Sequence, residues 1–283
     1  MQVQTNRFLS EFSTFGIGGP IAQFAEVRTA EDMREAFAYA KAQNIPLLII
    51  GKGSNCLFPD HGFPGLALLN KIDGCKIEGL QVTVGSGYSF SLLGVQTARR
   101  SLSGLEFASG IPATVGGAIF MNAGASGRET CDSLHSVSYM HDTGEVREYL
   151  RKDLKFGYRK SPFQSMSGAI LGATFLLELS LISRKSQLEI VDYRMKTQPY
   201  KDKSIGCIFR NPSTSLSAGA IIDQCGLKKY KIGGAKVSEM HANFIVNTGG
   251  AKASDVLELI RIIQNRVKQK LDIELEPEIR IIP

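Results

Sequence analysis

No apolar run in this sequence approaches the roughly 20 residues needed to cross a bilayer. The longest weakly polar stretch, Gly168 to Leu177, stops at Glu178. The first residues, Met1-Gln-Val-Gln-Thr-Asn-Arg7, hold no charged segment followed by an apolar core, so no secretory signal is expected. Cysteine is sparse: five residues, at 56, 75, 131, 207 and 225, with gaps of at least 18. That spacing gives no CxxC pair and no zinc-ligand pattern, so no metal is expected, and the thiols read as reduced in a cytoplasmic protein. There is no basic arm, and the aromatic residues are not clustered. The 33 Lys and Arg are interleaved with 27 Asp and Glu. The net charge of +6 therefore suits an anionic small molecule at least as well as a nucleic acid, and nucleic acid is not an expected partner. Repeats, low-complexity stretches and flexible linkers are absent as well. With 43% hydrophobic and 21% charged residues over 283 positions, the chain is an ordinary globular protein of at least two domains.

The one excess is glycine, at 29 residues. Strands and helices alternate around it, which excludes all-α and all-β folds. Gln23–Val27 reads as a strand. Thr29 then caps a helix, with Asp32 completing the capping box and Met33, Ala36, Phe37 and Ala40 as its stripe. The strand Pro46–Ile50 empties into Gly51-Lys52-Gly53-Ser54-Asn55, and Val82–Val84 into Gly85-Ser86-Gly87. A helix carrying Leu92, Leu93 and Ala98 follows, and then six glycines between 104 and 127. Leu134–Met140 and Glu145–Leu150 form a hairpin around His141–Gly144. Further on come a strand over Ala169–Leu179, helices over Leu188–Met195 and Ala218–Gln224, and a strand over Phe244–Val246. A strong helix spans Ser254–Leu271, with Val256, Ile260, Ile263, Val267 and Leu271 on one face, and a final strand covers Leu275–Ile282.

Taken singly, the glycine motifs read as tight turns. Gly16-Ile17-Gly18 precedes a strand instead of following one, Gly85-Ser86-Gly87 lacks a third glycine, and residues 51–54 lack the Walker A spacing. Together they are more informative. Two glycine loops end strands, and Ser109-Gly110-Ile111-Pro112 leads into Ala113-Thr114-Val115-Gly116-Gly117, where Pro112 opens a short helix. Backbone amides in such loops, and a helix N-terminus, suit a pyrophosphate.

Seven blocks, in order, then resemble a known family, that of UDP-N-acetylenolpyruvoylglucosamine reductase. They are Thr14–Pro20, Gly51–Asn55, Gly104–Gly117 with Asn122-Ala-Gly124, Phe156–Ser161, Gly206–Pro212, Gly233–Ser238 and Leu275–Ile281. The resemblance covers nearly the whole chain and is to the shorter subtype, without an extra substrate loop. It implies an α+β protein: a two-part FAD-binding unit of the vanillyl-alcohol-oxidase type plus a C-terminal α/β substrate-binding domain. The implied boundaries are 1–66 (completed by 274–283), 67–197 and 198–273. It implies non-covalent FAD, NADPH as co-substrate, a small-molecule UDP-sugar substrate and a monomer without membrane insertion. FAD would be held by Gly51, Lys52, Gly53, Ser54, Asn55, Ser109, Gly110, Ile111, Pro112, Thr114, Gly116 and Gly117.

The same resemblance assigns the chemistry. Arg159 matches the catalytic arginine, whose planar fork suits a developing carboxylate dianion. Glu278 matches the catalytic glutamate, with Glu276 as its local competitor. Where the family usually has the proton-donating serine, this chain has Cys207. Thiol suits the role, since its ordinary pKa of about 8.5 lies nearer neutrality than a hydroxyl's. Tyr158, Arg210 and Asn211 would line the substrate. One or two of Lys228, Lys229, Lys231 and Lys236, with Lys228 and Lys236 taken as the pair, would face its pyrophosphate, and His241 would lie near substrate or be structural. Two rivals stay open: a related FAD-dependent oxidoreductase acting on another substrate, and a non-catalytic nucleotide- or RNA-binding protein.

Overall fold

Thr29 sets the first helix. Its hydroxyl accepts the Asp32 N–H at 3.0 Å, and the Asp32 carboxylate accepts the Thr29 N–H at 3.1 Å, the reciprocal pair that the spacing predicts. This helix, α1, runs Ala30–Ala42. The computed structural model describes every residue, Met1–Pro283. Five more α-helices follow: α2 (Phe90–Arg99), α3 (Val115–Phe120), α4 (Ser183–Thr197), α5 (Ala218–Gln224) and α6 (Ala253–Leu271). None of them is long and apolar enough to cross a membrane. With the strands they make an α+β protein of two units. Unit 1 comprises Met1–Gln4, Gln23–Lys52 and Gly65–Arg194, and unit 2 comprises Thr5–Ala22, Gly53–Pro64 and Met195–Pro283.

Unit 1 is built on a five-stranded antiparallel sheet, in the order Val146–Leu150, Leu134–His141, Gly168–Leu176, Gln81–Gly85, Cys75–Glu78. Its central strand is buried on both faces. Ala169 and Leu171 pack with Met33, Ala36, Leu66 and Leu68, whereas Ile170, Ala173 and Phe175 pack with Phe90, Leu93, Val115 and Ile119. An irregularity of the strand at Leu171, left out of the pairing between Ser138–Gly172 and Tyr139–Ile170, resets the alternation, so residues on the two sides of it turn to different cores. Each such buried Leu or Phe is worth about 1.5–3 kcal/mol. Leu47–Ile50 runs parallel to a strand the sequence did not suggest, Phe63–Asn70, with Leu47 opposite Leu66. The expected strand Ala169–Leu179 breaks at Leu177, and Glu178–Leu179 pairs instead with Leu102–Ser103. The short helix expected at Pro112 starts later: Thr114 is its N-cap and accepts the Gly117 N–H at 3.3 Å.

In unit 2, α5 and α6 share a core with the antiparallel strands Lys231–Ile232, Ala235–Val237 and Ile245–Asn247. The α6 stripe buries Val256, Leu259, Ile260, Ile263 and Val267. Its N-terminus is capped from elsewhere in the unit: the Ala253 and Ser254 N–H groups donate to the Asp60 carboxylate at 2.7 and 3.1 Å. An anion there also answers the helix dipole. Cys56–Leu57 takes Arg280–Ile281 as a parallel partner. Glycine is required where segments press together. A Cβ on Gly53, at φ 60°, would lie 1.9 Å from the Phe12 carbonyl oxygen.

Candidate active site

Unit 1 carries two groups of the residues singled out above. The first surrounds α3. Gly51 ends its strand so close to Thr114 that a Cβ would meet the Thr114 hydroxyl at 2.4 Å. The first amides of α3 are already engaged: Val115 N–H donates to Tyr88 O at 2.9 Å and Gly116 N–H to Ser86 O at 2.8 Å. Gly110 N–H donates to the Ser91 hydroxyl at 2.8 Å. The helix start is therefore tied into the protein. In the same loop Ser109 is fully buried, and its hydroxyl has no protein partner. A buried hydroxyl in want of a partner, beside glycines that keep the loop bare, fits a polar cofactor.

The second group is the turn Gly157–Lys160, whose ends exchange backbone hydrogen bonds of 3.1 and 2.9 Å. Arg159 sits in it at φ 56°, a left-handed conformation uncommon outside glycine. Its Nη2 donates to the Gly124 carbonyl at 3.0 Å, and its guanidinium lies 4.9 Å from the ring centre of Tyr158, itself half exposed. Asn122, Ser161 and Gln164 brace this turn, and sequence reasoning gave none of them a role. Asn122 Nδ2 donates to Gly157 O at 3.0 Å, and Ser161 Oγ donates to Phe120 O at 2.7 Å. Gln164 Nε2 donates to Phe120 O at 2.9 Å and to Arg159 O at 3.1 Å.

Unit 2 carries the rest. Three segments lie side by side: Cys207 bridges Phe244, Ile208 N–H donates to Asn243 O at 2.8 Å, and Glu278 N–H donates to Ile208 O at 2.7 Å. Arg210 N–H donates to Glu276 O at 2.9 Å. Cys207 and Arg210 thus stand on one segment, and Glu278 on the segment beside it. Cys207 is half-buried and follows Gly206, at φ 81°. The Arg210 Nε is buried without a protein partner, which fits an anionic ligand. Asn55, in the same unit, donates from Nδ2 to Glu278 O at 3.3 Å.

Not every candidate stands free for a ligand. Asn211 Oδ1 accepts the Ala218 N–H at 3.0 Å, at the start of α5. Lys228 pairs with Asp223 at 2.6 Å, and Lys236 with Glu239 at 3.2 Å. His241 accepts the Asn243 N–H through Nδ1 at 3.2 Å and meets Phe244 edge-on. Burial holds its pKa below the ordinary histidine value, with nearby Lys228 adding to the effect.

Residues 21–149 match the family described as "FAD binding domain", and residues 198–282 match "UDP-N-acetylenolpyruvoylglucosamine reductase, C-terminal domain". A flavin domain followed by that second domain defines an FAD-dependent oxidoreductase. Over its full length the chain is 57% identical to a reductase of that name from Protochlamydia amoebophila, covering 94% of it. It is 49% identical to the one from Chlamydia muridarum, with 99% of this chain and 95% of the relative covered. The crystal structure of the enzyme from Thermus caldophilus superimposes with a TM-score of 0.85 at 39% identity, covering 100% of both chains. The chain belongs to the UDP-N-acetylenolpyruvoylglucosamine reductase family.

Proposed function

We propose that the protein catalyses the NADPH-driven, FAD-dependent reduction of UDP-N-acetylglucosamine enolpyruvate to UDP-N-acetylmuramate, a step in peptidoglycan precursor synthesis. The observation that carries this reading is the end-to-end match to reductases of that name. In unit 1, FAD is read as held by Gly51, Lys52 and the 109–117 loop, with the Ser109 hydroxyl as a donor. Gly53, Ser54 and Asn55 are read as further flavin-binding residues. The chemistry that bound FAD supplies is hydride transfer, from NADPH and then to the enolpyruvyl double bond.

The chain's own residues do the remainder. Hydride addition beside a carboxylate drives electron density onto it, and Arg159 is read as the cation that grips it bidentately. Glu278 is assigned to the same intermediate. Cys207 is read as the acid: its S–H proton goes to the carbon next to the one that takes the hydride, and the resulting thiolate regains a proton from solvent. Tyr158, Arg210, Asn211, Lys228, Lys236 and His241 are read as substrate-binding. Within this reading the domains are 1–66 with 274–283, 67–197 and 198–273, and the enzyme is a cytoplasmic monomer.

The test is NADPH consumption. Oxidation of NADPH that depends on the enolpyruvyl nucleotide, with UDP-N-acetylmuramate formed in equal amount, is the expected result. NADPH oxidation indifferent to that nucleotide would assign the flavoprotein another substrate.

A further inference from the structure

Asn122 is fully buried and takes a left-handed conformation at φ 43°. Its amide is saturated. Nδ2 donates to the Glu129 carboxylate at 2.8 Å and to the Gly157 carbonyl at 3.0 Å, and Oδ1 accepts the Cys131 N–H at 3.1 Å. Gly157 opens the turn that carries Arg159, and the Arg159 guanidinium donates to the carbonyl of Gly124, two residues after Asn122. The side chain of Asn122 therefore holds the base of the turn, and the backbone just beyond it holds the tip. Both contacts descend from one short segment at the end of α3, so displacement of that segment displaces the guanidinium twice over.

We infer that Asn122 is the positioning residue for Arg159, fixing where the guanidinium stands before substrate arrives. The inference rests on the reading of Arg159 as the cation that grips the substrate carboxylate. Only asparagine meets the demands of the position with so short a side chain: two donations, one acceptance and a left-handed backbone. Aspartate would set a carboxylate against the Glu129 carboxylate and the Gly157 carbonyl. Glycine would keep the backbone conformation and delete all three hydrogen bonds.

The test is a double-mutant cycle on the FAD-loaded enzyme, with Asn122→Gly made in the wild-type and Arg159→Ala backgrounds. In the wild-type background, Asn122→Gly should slow enolpyruvyl-dependent turnover by roughly 10²-fold, the cost of a reacting partner misplaced by about 1 Å. The loss should fall on kcat more than KM, while FAD content and the rate of flavin reduction by NADPH stay near wild type. In the Arg159→Ala background the same substitution should change turnover less than about twofold, because the group it positions is gone. The thermal midpoint should fall equally in both backgrounds, which separates positioning from folding. An equal loss of turnover in both backgrounds overturns the inference, as does an Asn122→Gly enzyme as fast as wild type. If the glycine variant does not accumulate, Asn122→Ser, short, uncharged and unable to make the Gly157 and Glu129 donations together, enters the same cycle with the same expected and overturning results. Wild-type turnover by Arg159→Ala alone overturns the reading of Arg159, and this inference with it. An inactive Arg159→Ala beside an unimpaired Asn122→Gly overturns the inference alone.

Discussion

The Asn243 side chain takes the place of a β-strand for Phe209: its Oδ1 accepts the Phe209 N–H at 2.9 Å and its Nδ2 donates to the Phe209 carbonyl at 2.8 Å. Both residues are buried. The pair pins the extended segment that carries Cys207, two residues upstream. Asn243→Ala would strand a buried N–H and a buried C=O, at about 1–3 kcal/mol each. A urea midpoint lowered accordingly is expected, and an unchanged midpoint would show that Asn243 adds nothing to the strand's support.

Arg159→Lys should lose most turnover although the charge is kept. A point charge on a flexible stem does not reproduce a planar fork on a carboxylate. The loss belongs in kcat, because the interaction strengthens as negative charge develops. Steady-state kinetics decide it: a lysine variant with wild-type kcat would release Arg159 from the role.

Cys207→Ala should split the two half-reactions. Bleaching of flavin absorbance by NADPH should stay near normal. Recovery of absorbance on anaerobic addition of the enolpyruvyl nucleotide should slow by roughly 10²–10⁴-fold, the usual worth of a placed acid. Cys207→Ser should restore substantial activity. Stopped-flow traces in which the alanine variant recovers as fast as wild type would leave Cys207 a half-buried thiol without a chemical task.

Gly51→Ala tests the cofactor cradle. Its Cβ would arrive 2.4 Å from the Thr114 hydroxyl, so Thr114 must swing away and give up its bond to Gly117 N–H. Loss of that cap costs about 1 kcal/mol and moves the start of α3. Flavin fluorescence titration of stripped enzyme should show FAD affinity lower by about tenfold or more. Affinity equal to wild type would place the flavin elsewhere.

His241 gives a pH signature. Burial lowers its folded-state pKa below its ordinary 6.5, so the unfolded chain binds the proton first as pH falls. Its contribution to stability is complete above pH 6.5 and is lost as pH drops through the folded value. Urea midpoints measured across that range should fall for wild type and fall less for His241→Gln. Parallel curves would mean that the imidazole does not titrate differently on folding.

Much of the scaffold was legible where chemistry is local. Thr29 and Asp32 named the start of α1, and Ala218–Gln224 was read with its true bounds. What escaped depends on remote partners. Phe63–Asn70 begins Phe-Pro-Gly, which reads as a break, and becomes a strand because Leu47–Ile50 lies beside it. The start of α4 was missed because Ser183–Ser186 has no apolar period; its anchor is the Ser183 hydroxyl, bonded to Leu102 O at 2.7 Å. The tail is not one strand over Leu275–Ile282 but is shared between two partners: residues 276–278 pair with 208–210, and Arg280–Ile281 with Cys56–Leu57. The site shows the same division. The residues read as catalytic, Arg159, Cys207 and Glu278, stand in recognisable motifs, whereas the contacts of Asn122 with Gly157 and of Asn243 with Phe209 join positions 35 and 34 residues apart.

The three-piece make-up of unit 2 imposes an order on its birth. Thr5–Ala22 and Gly53–Pro64 leave the ribosome early, yet the core they belong to is supplied by Met195 onward. Leu57 shares its cluster with Ile279, and Cys56–Leu57 finds its strand partner only in Arg280–Ile281. Throughout synthesis of residues 65–194 the early pieces therefore wait with apolar surface uncovered, which makes them natural clients for holding chaperones. Loop closure over so long a span is also slow. Unit 1, whose main segment Gly65–Arg194 is continuous, can collapse first. The half of the enzyme that carries Cys207 and Glu278 is thus the last to become solid.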